Sequence, residues 1–240
     1  MAAHHEIDCF LLERHAAVYI EIPKVACTSI KVALAGVCGV DLAASGGNPH
    51  EARWPTPRAA PARLGPRFPG LFAFAFVRDP WERLVSCYRD KIRGEVDGYT
   101  FFTIRPGVAN CLARFDAFVA GMSFDAFVGA VAAIPDDDAD PHFRSQHTFV
   151  TDDAGQLAVD FVGRYERLAD DLRAVERRVG LPALDLPRLQ AARTPLPFAA
   201  FYTAETAQLV ADRYARDVEL FGYVAPGHLR GPRELTPSPA

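Results

Sequence analysis

The sequence predicts an α/β fold, a mainly parallel central sheet flanked by helices. Short β-rich runs are each followed at once by a segment of helical period, a pattern that builds parallel strands joined by crossover helices. The run LFAFAFV, residues 71–77, is apolar throughout, as strands covered on both faces are. With 50% hydrophobic and 23% charged residues in 240, the composition is that of a globular protein able to bury such a sheet.

The elements follow in order. Residues 16–22, AAVYIEI before the loop, are rich in β-branched and aromatic types and read as a strand. Residues 28–37 read as a helix, with Ile30, Leu34 and Val37 at helical spacing. Residues 45–70 are dense in Pro, Gly and Arg and predict a long loop. After the 71–77 strand, Asp79 is placed to cap a helix whose first turn takes Pro80. Its apolar face is Trp81, Leu84, Val85, Tyr88 and Ile92. Residues 94–111 look irregular, and 123–134 form another capped helix. Residues 159–166 read as a strand, 167–179 as a helix ended by Gly180, and 203–223 as one last long helix. The expectation is a single domain over 1–225 with a disordered tail at 226–240.

Two strand-to-helix junctions attract attention. In the first, IPKVACTSIK, a lysine and two hydroxyls (Lys24, Thr28, Ser29) stand at a helix start, where unpaired N–H groups and the dipole favour an anion. Ala26 and Cys27 are small enough for close backbone approach. The GxxxxGK[ST] pattern is absent, since Lys24 opens the loop rather than closing it. Simple helix capping is the competing reading. In the second junction, FAFVRDPWERLVSCYRDKI, Arg78 stands at the carboxyl end of the buried strand, where open α/β sheets place ligands. Ser86 lies about two turns into the helix. Pairing of Arg78 with Asp79 or Glu82, with Ser86 a surface residue, explains the same sequence.

The net charge of −4 gives no general pull toward nucleic acid or an anionic membrane, so an anion site must be local. The five cysteines fit no zinc or CxxC spacing and read as free thiols. No metal site is expected. There is no basic segment followed by an apolar core at the start, and no apolar run of about 18 residues, so a cytoplasmic location is expected.

Together the two junctions resemble those of the carbohydrate (family 2) sulfotransferases, the chondroitin and heparan 2-O type enzymes and their bacterial relatives. Further matches lie in PHFRSQ (141–146), FVGRYERLADDL (161–172) and YARDVELFGY (214–223), so the resemblance runs from about residue 16 to 223. It implies a P-loop-like sulfotransferase fold. It implies 3′-phosphoadenosine 5′-phosphosulfate (PAPS) as co-substrate, without a metal, and a carbohydrate or small-molecule acceptor. By match, Lys24, Val25, Ala26, Cys27, Thr28 and Ser29 would hold the phosphosulfate, and Arg78 and Ser86 the 3′-phosphate. Lys24 would also neutralise charge on the leaving oxygens.

A hydroxyl acceptor needs a base, for which histidine is best suited near neutral pH. The candidates are His50, His142 and His147, with His50 ahead of His142 and Glu51 an outside choice. Arg164 either reaches the crevice or pairs with Asp160 or Glu166. Arg53, Arg58, Arg63 and Arg67 either meet an acidic sugar or belong to a solvated loop. Two other function classes compete: an ATP phosphotransferase, against which the missing GK[ST] counts, and a non-catalytic nucleotide-binding module, which would have no usable base.

Overall fold

The computed structural model describes residues 6–95, 101–187, 189 and 196–226. The tail expected at 226–240 therefore lies, from residue 227 on, outside the described residues. A five-stranded sheet has the order β3-β1-β2-β4-β5. Its strands are β1 (Ile7–Leu12), β2 (Ala17–Ile20), β3 (Arg58–Ala59), β4 (Phe72–Val77) and β5 (Phe161–Arg164). The helices are α1 (Cys27–Ala35), α2 (Leu64–Arg67), α3 (Pro80–Lys91), α4 (Phe124–Ala133), α5 (Leu168–Val179), α6 (Ala204–Arg213) and α7 (Ala215–Phe221).

The expected parallel part is β2-β4-β5: Ile20 pairs with Ala75 and Val77 with Arg164, all in one direction. β1 was not foreseen. It pairs antiparallel with β2 and, on its other edge, with the two-residue β3 from the Pro/Gly/Arg-rich segment. Its buried-exposed-buried start, Ile7, Asp8, Cys9, is the alternation that could have revealed it. β2 is buried at every position, and β4 at all but its first, consistent with cover on both faces.

Helix signals were largely local. Asp79 accepts the Glu82 N–H at 3.0 Å and caps α3, with Pro80 at its first position. Ser123 caps α4 through the Ala126 N–H, and Gly180 ends α5 in the left-handed conformation. The expected helix over 203–223 is instead two helices broken at Tyr214, whose φ is −112°. The Tyr214 hydroxyl donates to the Phe143 carbonyl at 2.6 Å. Past the break, the fully buried Asp217 accepts from the backbone N–H groups of Gln146 (2.7 Å) and His147 (2.8 Å). Tertiary anchoring of residues 143–147 thus overrides helical propensity.

The tight approach of β5 to β4 gives a first prediction. A Cβ on Gly163 would lie 2.5 Å from the Phe76 ring and 3.1 Å from Asp171 Cβ. Gly163→Ala should therefore lower unfolding free energy by about 1–3 kcal/mol in denaturant titration. An unchanged midpoint would contradict this packing.

Candidate functional site

The carboxyl ends of β2 and β4 are neighbours in the sheet, so the two junctions open side by side. One crevice of about 350 Å³ is lined by Lys24, Ala26, Cys27, Thr28, Ser29, Arg78 and Ser86, and by both His50 and His142. Val25 differs. Its side chain is wholly buried in the core, so only its backbone belongs to the loop.

The first loop turns without glycine. Lys24 and Ala26 take φ of 69° and 60°, a left-handed conformation that costs a non-glycine residue roughly 1–2 kcal/mol. Residues held this way cluster at functional sites, and alternation of the two backbone hands shapes an anion-binding concavity. The Lys24 ammonium, 9% exposed as a residue, meets Asp90 at 2.6 Å. Asp90 also meets Lys91 at 3.0 Å.

In the second junction, Arg78 ties the two together. It donates to the Lys24 carbonyl at 3.2 Å and to Glu82 at 2.7 Å, and lies 3.9 Å over the Tyr165 ring. The Glu82 pairing anticipated as the bland alternative is thus present, yet it does not exhaust the side chain. Its Nε is buried without a hydrogen-bond partner, which leaves a donor for a bound anion. Ser86 and Asp90 follow at successive four-residue steps on the same helical stripe. Gln146 fixes the arginine's backbone, accepting its N–H at 2.9 Å and donating to its carbonyl at 2.8 Å. Among the titratable groups lining the crevice, three cations (Lys24, Arg78, Lys91) face one carboxylate (Asp90). That local excess of positive charge sits in a chain of net charge −4.

The histidines differ in their partners. His50 Nδ1 lies 2.9 Å from the Lys31 ammonium and Nε2 lies 2.9 Å from the Thr28 hydroxyl. An ammonium only donates, so Nδ1 accepts and the ring proton sits on Nε2, directed at Thr28. Burial, then the nearby Lys31 charge, pushes the His50 pKa down to about 3. His142 Nδ1 lies 2.6 Å from Asp140. A proton shared there leaves the Nε2 lone pair available. Burial and the Lys91 charge hold His142 below the ordinary histidine value, with Asp140 opposing them. His147 binds Asp217 at 2.8 Å and is not among the crevice lining. Glu51 is exposed and also outside it. Arg164 takes neither anticipated role: it donates to the Phe221 carbonyl and stacks over Tyr223.

Sequence reasoning missed Arg83. Its buried guanidinium donates to the carbonyls of Pro23 (2.9 Å), Arg144 (2.8 Å) and Pro141 (3.0 Å), locking the first loop to the segment that carries His142. It also missed Asp90, for which the four-residue stripe from Arg78 was an available signal, and Lys91 next to it. Finally, donor atoms of Cys111, Asp140 and His142 lie within 4.8 Å of one another, a grouping that spacing did not reveal. The charges of Lys91 and Lys24 act on His142 and oppose a dication there.

Comparison with known proteins bears on this crevice. The profile described as Sulfotransferase family matches residues 8–224, spanning both junctions. The chain belongs to the sulfotransferase family. It is similar to carbohydrate sulfotransferase 14 of Danio rerio, 27% identical over 236 residues covering 89% of this chain and 61% of that protein. It is 30% identical over 230 residues to carbohydrate sulfotransferase 14 of Mus musculus, covering 89% and 59%. With carbohydrate sulfotransferase 11 of Rattus norvegicus it shares 26% over 246 residues, covering 91% and 67%. The chain thus spans about three fifths of the length of the two carbohydrate sulfotransferase 14 relatives. No solved structure matches significantly. This sulfotransferase chain has, among its described residues, no helix long and apolar enough to cross a membrane.

Proposed function

We propose that the chain transfers a sulfuryl group from PAPS to a hydroxyl of a carbohydrate acceptor. The observation that carries this reading is the meeting of Lys24 and Arg78, from adjacent strand tips, in one crevice. Family membership and the names of its relatives support the reaction class and the acceptor class.

In this reading the backbone and hydroxyls of residues 24–29 hold the phosphosulfate, while Arg78 and Ser86 hold the 3′-phosphate. The orphaned Nε of Arg78 suits an anion there. PAPS supplies the activated sulfuryl group. The bond from sulfur to the acceptor oxygen forms as the bond to the bisphosphate oxygen breaks, and the electron pair leaves with the bisphosphate. Lys24 stabilises that developing charge, sharing its ammonium between Asp90 and the leaving oxygens.

The acceptor hydroxyl proton goes to Nε2 of His142. Asp140 orients that ring and balances the imidazolium charge. The order of the sequence candidates is therefore reversed. His50 can take a proton only at Nδ1, where Lys31 already donates. Its role is to hold the Thr28 hydroxyl.

Transfer of label from radioactive PAPS to a panel of saccharides tests the reading. Label should appear in at least one saccharide, and transfer confined to non-carbohydrate acceptors would overturn the acceptor class. Arg78→Ala should weaken binding of the desulfated product, 3′-phosphoadenosine 5′-phosphate (PAP), by about 10- to 150-fold in calorimetry. That is the loss of a charge-assisted hydrogen bond worth about 1.5–3 kcal/mol.

A further inference from the structure

We propose that a second cavity, beside Arg144, is a site for one small oxyanion: a sulfate, a phosphate or a carboxylate group. It shares no lining residue with the nucleotide crevice, and the inference does not depend on nucleotide chemistry.

Arg144 is only 3% exposed and its Nε is buried without a hydrogen-bond partner. Among the described residues no hydrogen bond or ion pair holds its guanidinium. What it has is the Phe149 ring, 4.1 Å away. Burial draws the group down to about 10, which leaves it charged at neutral pH. A buried cation without a matched counter-charge is costly, and the guanidinium fork fits planar or tetrahedral oxyanions. The carboxylates nearby are already engaged, Asp136 by Arg213 at 2.7 Å and Asp140 by His142 at 2.6 Å.

The cavity has a volume of about 450 Å³, and Arg58 and Arg114 stand at its rim. Both are exposed. Arg58 comes from the arginine-bearing segment that the crevice leaves unused, carried to this place by β3. Exposed acids share the rim, Glu6, Asp137 and Asp138. That mixture repels an extended polyanion and leaves a single compact anion as the fitting occupant. Pro141 lines this cavity while His142 lines the crevice. An anion on Arg144 therefore steadies the turn that carries the proposed base.

Equilibrium dialysis against radiolabelled sulfate, at constant ionic strength, tests the site. Wild-type protein should bind one sulfate more than Arg144→Met. Without sulfate, Arg144→Met should melt at or above the wild-type temperature, because an unmatched buried charge has been removed. Arg58→Ala with Arg114→Ala, at exposed positions, should weaken binding at this site about two- to fivefold and keeps the test open if Arg144→Met fails to fold. Displacement of label by glucuronate marks an acidic acceptor group as the occupant, and displacement by phosphate alone marks a free inorganic oxyanion. Either supports the site. Equal sulfate stoichiometry in wild type and a folded Arg144→Met, or undiminished affinity in the rim double variant, overturns it.

Discussion

Replacing Lys24 with alanine is expected to lower kcat by a factor on the order of 10²–10³, the usual cost of one lost transition-state donor. The affinity for PAP should fall much less. The reason is geometric. Lys24 opens the loop in a left-handed conformation and its ammonium sits buried against Asp90. A charge so placed does little that the loop backbone and hydroxyls cannot do for a ground-state phosphate. Its proposed use is where charge appears on the leaving oxygen, and an interaction made there lowers kcat when removed. Asp90 keeps Lys91 at 3.0 Å in the variant, so the fold should survive. Steady-state rates with labelled PAPS, set beside calorimetry with PAP, separate the two effects. A large rise in PAP dissociation constant with kcat unchanged would assign Lys24 to binding alone.

Replacing His142 with glutamine should lower kcat about 10²–10⁴-fold, the range expected for a lost general base. The pH profile distinguishes this from a structural effect. The reactive form is the neutral ring, so wild-type kcat/KM should fall as pH drops through the His142 pKa. Burial and Lys91 hold that pKa below the ordinary histidine value, so the acid limb should lie below about pH 6.5. That limb should vanish in His142→Gln. It should persist in His50→Gln, because His50, pushed to about 3, is already neutral throughout the working range. Loss of the limb in His50→Gln with retention in His142→Gln would restore the order that the sequence suggested.

Hydrophobic runs and caps are local, so β2, β4, α3, α4 and α5 were legible within a residue or two. The long helix was not, because its break at Tyr214 answers to Phe143 and its far half to Gln146 and His147, about seventy residues away. The side of the crevice lined by residues 24–29 was readable as residue types at a helix start. The contacts that distinguish the histidines were not, since Lys31 beside His50 is a contact made by folding. The Asp140–His142 pairing, two residues apart in ADPH, was a visible signal that went unweighed. Arg83 and Arg144 lie inside the matched segments 74–92 and 141–146, but their residue type and spacing there do not tell them from the other arginines. Their significance lies in burial and in the carbonyls, or the lack of a partner, around them.

The measurement that bears most directly on the whole account is a crystal structure with PAP bound. One nucleotide is expected to span both junctions, its 5′-phosphate within about 3 Å of donors in residues 24–29 and its 3′-phosphate within about 3 Å of Arg78 or Ser86, with His142 Nε2 facing the space where the sulfuryl group would stand. A nucleotide bound away from this crevice, or one touching a single junction while the other stays turned toward Glu82 and solvent, would contradict it.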